Sequence, residues 1–71
     1  MHSAERDALR LRTIRVSART ALGKAPTDGV RRAIMARTNQ LLTELEDSLR
    51  SREDAEGLLE AVRDARREFR G

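Results

Sequence analysis

The side chains in this sequence best suited to binding chemistry are arginines spaced three and four residues apart. Arg12, Arg15 and Arg19 follow this spacing, which places them on one side of a helix. Arg31 and Arg32 stand near the start of the next helical segment. Guanidinium groups bind phosphates and carboxylates through a planar fork of donors. The pattern therefore predicts either a surface that contacts phosphates or a solvated basic face that meets carboxylates of this chain or of a neighbour.

No residues with the spacing of a catalytic or metal site accompany these arginines. The only histidine, His2, follows the first residue, so no base is placed to activate a nucleophile. The adjacent carboxylate pairs, Glu46–Asp47 and Glu53–Asp54, diverge by about 100° on a helix and would not share a substrate. The sequence has no cysteine, no calcium-loop spacing and no glycine-rich phosphate loop. We expect a protein that is not an enzyme and holds no cofactor or metal.

Charge is sorted along the chain. Residues 1–37 carry nine basic and three acidic side chains, a net charge of +6, whereas residues 38–71 carry six arginines and nine carboxylates, a net charge of −3. A surface of one sign attracts the opposite sign, so this sorting predicts a protein that associates with a partner.

The chain is short and its apolar content is low. Seventeen of the 71 residues are Leu, Ile, Val, Met or Phe, and no disulfide is available to stabilise so small a core. We expect one domain over residues 1–71 that is completed by a second copy or by another protein. No apolar signal segment and no run of about 20 apolar residues is present, so the expected location is the cytoplasm, with no membrane partner.

The sequence predicts a loop at residues 23–29, where Gly23 suits the end of one helix and Thr27 or Asp28 can cap the next. Apolar residues then recur every three or four positions, which predicts helices over residues 28–50 and 52–69. Residues 30–69 are alternatively one long helix, but the apolar stripe rotates near residues 48–52, and Ser51 can cap a new helix there. The stripes predict an apolar seam, which forms either the core of a bundle or a contact with another helix. The residues of this seam are Ile34, Leu41, Leu45, Leu49, Leu58, Leu59, Val62 and Phe69.

The N-terminal segment allows two interpretations. As a helix over residues 4–22 it places Leu11, Ile14 and Ala18 on one face and leaves Leu9 and Val16 on another, where they need a cover. As a strand it alternates over residues 9–18, but the alternation slips after Thr13. The alternating segment is loosely similar to ribbon–helix–helix antitoxins and repressors, but the loop at residues 23–29 interrupts the pattern at a different place, so no residue roles follow.

Together these patterns predict an all-α protein, with a helical hairpin and a basic N-terminal helix laid against it. The first functional hypothesis is a protein–protein interaction or oligomerisation module that works through helix-to-helix contacts, foremost with a second copy of itself. The alternative is a small nucleic-acid-binding regulator, antitoxin-like, that uses the arginines of the basic N-terminal half.

Overall fold

The part of the chain that the structure describes forms three helices, as expected for an all-α protein. The computed structural model describes residues 4–52 and 54–70. Helix α1 spans Ala4–Lys24, α2 spans Asp28–Arg50 and α3 spans Glu56–Glu68. No strand occurs in these described residues, so the helical interpretation of residues 9–18 is confirmed and the strand interpretation is wrong.

The connection between α1 and α2 is short and is fixed by two residues. Pro26 disfavours helical geometry at the residue before it, and α1 ends at Lys24. Thr27 caps α2, as predicted, because its hydroxyl oxygen accepts a hydrogen bond from the backbone N–H of Val30 at 3.2 Å. The prediction that Gly23 ends α1 is wrong: Gly23 lies inside the helix, and no described glycine has a positive φ.

The second connection divides residues 30–69 into two helices. The break lies at residues 51–55, slightly beyond the predicted 48–52, and α3 begins four residues later than predicted. Ser51 ends α2 and does not cap α3, and the backbone N–H of Arg52 bonds to the carbonyl of Leu49 at 3.0 Å. The side chain of Arg52, between α2 and α3, pairs with Asp7 on α1.

The core lies where α3 packs against the hairpin of α1 and α2. Helix α2 contacts both other helices extensively, whereas α1 and α3 touch over a smaller area. The buried apolar residues come from all three helices and the adjoining turns: Leu11, Ala18, Leu42, Leu45, Leu49, Ala55, Val62, Ala65 and Phe69. Helix α2 is about 35 Å long and α3 about 20 Å, so α3 covers only part of the hairpin.

Among the described residues, no helix combines the length and the apolar content required to cross a membrane.

Truncating a central core side chain tests this packing. Leu45 has no exposed surface, so Leu45→Ala should lower the free energy of unfolding by about 3 kcal/mol through lost burial and a cavity. A domain of this size is expected to have only about 4–10 kcal/mol in total, so thermal unfolding should shift strongly. Val16 is 52% exposed, and Val16→Ala is the matched control with an expected change below about 0.5 kcal/mol. Equal melting temperatures for the two variants would contradict the packing.

Candidate interaction surface and its charged groups

Glu46 is a buried carboxylate surrounded by arginines. It lies on α2, and only 4% of its surface is exposed. Arg66 of α3 donates a hydrogen bond to its Oε1, and Oε2 lies 3.5 Å from Arg50 and 3.6 Å from Arg63. A buried charge is tolerated only when it is paired and hydrogen-bonded, so this cluster ties α3 to α2 through a polar contact beside the apolar core.

Two further carboxylates join the remaining elements. Glu68 at the end of α3 accepts hydrogen bonds from Arg19 at 2.6 and 2.9 Å and from Arg15 at 3.1 Å, both on α1. Asp7, near the start of α1, is 6% exposed and pairs with Arg52 in the second connection. Arginine–carboxylate contacts therefore link α3 to α2, α3 to α1, and the second connection to α1.

These contacts shift the pKa of two carboxyl groups. Burial acts to raise the pKa of Glu46, but the hydrogen bond from Arg66 and the charges of Arg66, Arg50 and Arg63 outweigh it, and the net shift is downward. The hydrogen bond from Arg19 is the main reason that the pKa of Glu68 is lowered; partial burial opposes it and Arg15 adds to it. Both carboxylates are thus stabilised in their charged form.

The five arginines predicted to contact nucleic acid do not form one surface. Arg15 and Arg19 both bind Glu68, so a carboxylate of this chain offsets part of their charge. Arg31 donates a hydrogen bond to the carbonyl of Leu22 at 3.2 Å. Arg12 and Arg32 are exposed and make no salt bridge with another described residue, but they lie on different helices and line no common pocket.

Most of the predicted apolar seam lies inside the single chain. Leu45, Leu49, Val62 and Phe69 are buried in the core between the helices, with at most 1% of their surface exposed. Leu58 and Leu59 are half-buried and pack against that core. Leu58 also borders a recess of about 600 Å³ that is lined by Arg12, Arg15 and Arg19, whereas Ile34 and Leu41 line a more apolar surface that another molecule can reach. The surface open to a partner is therefore narrower than the stripe predicts.

That surface is a groove between α1 and α2, which we call the hairpin groove. Its main part has a volume of about 490 Å³ and a largely apolar lining that includes Ile14, Ala21, Val30, Ile34 and Leu41. A second recess of about 290 Å³ continues it past Ile14 and Leu41 to Leu9, which is 62% exposed. No lining residue comes from α3, so no described helix covers this side of the hairpin.

The charged residues of the hairpin groove are all basic. Arg6 and Arg10 line its Leu9 end, and Arg37 lines its middle; no carboxylate is in the lining. None of these three arginines makes a salt bridge with another described residue. Sequence reasoning did not single them out, because the i, i+4 spacing of Arg6 and Arg10 is no more regular than that of the other arginines.

The described residues contain no group of three or more histidine, aspartate or glutamate side chains placed to hold a metal ion. Comparisons with protein-family models, with curated proteins and with solved structures each found no match.

Acid titration should expose the contribution of Glu46 and Glu68. Because their folded pKa values are lowered, the stability that they contribute is present above the unfolded pKa of about 4.3 and is lost as pH falls through the folded pKa values. Glu46→Gln should lower stability at pH 7 by about 2 kcal/mol and flatten the loss of stability below about pH 4.5, measured by urea unfolding. Glu60→Gln, on an exposed residue of α3, is the control. An unchanged acid slope in Glu46→Gln would contradict the assignment.

Proposed function

We propose that this protein is a non-enzymatic interaction module that binds a helix in the hairpin groove. The observation that carries the proposal is the apolar lining of that groove, which none of the described helices covers. Amphipathic helices bind grooves of this kind through apolar residues spaced three and four positions apart. Two antiparallel helices with an open side also offer the packing geometry that bundles use for a further helix.

The size of the core supports the proposal. The chain has few large apolar residues, and yet Leu9 and Val30 are left 62% and 40% exposed on this one side. A contiguous exposed apolar patch on a small protein is typical of an interaction site. Occupation of the groove would stabilise the fold, because a ligand that binds only the native state raises the free energy of unfolding.

The occupant is either a second copy of the chain, the first hypothesis from the sequence, or another protein. Sedimentation equilibrium at micromolar concentration separates the two for the free protein. A concentration-dependent dimer lost on substitution in the groove would identify a second copy. A folded monomer would contradict the homo-oligomer and leave another protein as the partner.

A displayed library of helices tests the groove directly. We expect selection from amphipathic helices of about 16 residues, with the apolar stripe fixed and the flanks random, to yield binders that lose at least about tenfold affinity for Ile34→Asp. Ala33 lines the groove and is exposed, so Ala33→Gln adds bulk there with little effect on folding and should weaken the same binders.

The matched control is Val16→Asp, on α1 but outside the hairpin groove, and it should bind as the unmodified protein does. Circular dichroism verifies that each variant is folded. Binders that are indifferent to Ile34→Asp and Ala33→Gln would contradict the groove as the docking surface.

Nucleic-acid binding, the second hypothesis from the sequence, would have to use arginines that the fold leaves exposed, such as Arg12 and Arg32. Duplex DNA titrated at two salt concentrations tests it. Contacts with several phosphates predict an affinity that falls steeply with salt, and Arg12→Glu with Arg32→Glu should reduce that slope. Absent or salt-independent binding would contradict it.

A further inference from the structure

We infer that the helix bound in the hairpin groove belongs to a different protein and is acidic, with aspartates or glutamates flanking an apolar stripe. The inference rests on the proposed function and adds the chemistry of the partner. It is carried by the charge of the groove lining, which contains Arg6, Arg10 and Arg37 and no carboxylate.

The fold pairs only some of its arginines with its own carboxylates. Glu46, Glu68 and Asp7 form salt bridges with arginines on α1, α2, α3 and the second connection. The arginines of the hairpin groove have no such partner among the described residues, although they stand beside its apolar lining. A helix that covers the groove would bring its flanking side chains next to these guanidinium groups and partly dehydrate them. Carboxylates on those flanks satisfy the arginines, whereas lysines or arginines would be repelled.

A second copy of this chain fits the groove poorly. Most apolar side chains of α2 and α3 are buried in the core, and the recess at Val16 and Leu58 is lined by arginines, so a copy would offer either its own hairpin groove or a second basic surface. A two-fold interface repeats the same patch on both sides, which would place the arginines of one copy against those of the other. Glu44, three residues after Leu41, shares that side of α2 by helical spacing, but one carboxylate per copy does not balance three arginines.

The position of the arginines also describes the bound helix. Along α1 the groove extends from Arg6 to Ala21, a length of about 22 Å, which matches a helix of about 15 residues. Arg6 and Arg10 lie on the α1 side of one end, and Arg37 lies on the α2 side near the middle. The bound helix should therefore carry acids on both flanks, with more of them near the end that lies beside Arg6.

Two reversal variants of equal net charge form the central experiment. One changes the groove arginines, Arg6→Glu, Arg10→Glu and Arg37→Glu. The other changes Arg12→Glu, Arg32→Glu and Arg70→Glu, which are exposed, lie outside the hairpin groove and make no salt bridge with another described residue. Both triple variants move the formal net charge by the same amount, so any difference between them reports on position and not on long-range attraction. Circular dichroism verifies the folding of each.

The probes are the helices selected from the displayed library, synthesised as peptides. We expect them to be enriched in aspartate and glutamate at the flanks, and to lose about tenfold or more of their affinity for the groove reversal but little for the control reversal. Peptides with the flanking acids changed to lysine should show the opposite preference. Raising the salt concentration should weaken the binding of the acidic peptides to the unmodified protein and to the control reversal, because both keep the groove arginines.

The remaining outcomes overturn the inference in distinguishable ways. Groove-dependent peptides with neutral flanks, bound equally by both reversal variants, would refute the acidic partner while the proposed function stands. A dimer abolished by Ala33→Gln would identify a second copy as the occupant. Failure to recover any groove-dependent helix would refute the proposed function itself. Duplex DNA binding that is lost only in the groove reversal would assign the groove to nucleic acid. It would refute both the acidic partner and the proposed helix-binding function.

Discussion

The packing of α3 against the hairpin of α1 and α2 is the interaction on which the rest of the structure depends. Helix α3 supplies Val62, Ala65 and the adjoining Phe69 to the core, and it brings Arg66 to the buried carboxylate of Glu46. The hairpin alone would leave Leu42, Leu45 and Leu49 uncovered. Since isolated helices of this length are marginal in water, tertiary burial is what makes each helix stable.

The small apolar content explains why polar contacts have so large a role. Asp7, Glu46 and Glu68 each reach an arginine on another element, so apolar burial and charge pairing act on the same contacts. Buried charge pairs are costly to desolvate and add less stability than their geometry suggests. Their clearer effect is to fix which faces of the helices meet, because a wrong rotation would leave a carboxylate buried without a partner. The internal pairs also leave other arginines, among them Arg6, Arg10 and Arg37 of the hairpin groove, without a carboxylate partner among the described residues.

Several features of the fold were predictable because they depend on local spacing. The three- and four-residue recurrence of apolar side chains gave α2 its bounds, and Thr27 identified its first turn. The N-terminal helix was also predictable, since the alternation of a strand fails after Thr13. The start of α3 was not: Ser51, the predicted cap, ends α2, and Arg52 beside it contacts Asp7, 45 positions away, which leaves no trace in a local pattern.

The candidate site shows the same division. By itself the sequence determined that the protein is helical, that its apolar residues form stripes and that its net positive charge lies in the first half, since each of these follows from residue type and spacing along the chain. Only the tertiary structure decided which apolar residues form the core and which arginines pair with carboxylates of the same chain. It buried Leu45 and Phe69 within the chain, left Ile34 and Leu41 in the hairpin groove, and paired Arg15 and Arg19 with Glu68. The physical reason is that a helix has several faces of similar composition, and which of them is covered depends on how distant segments of the chain pack together.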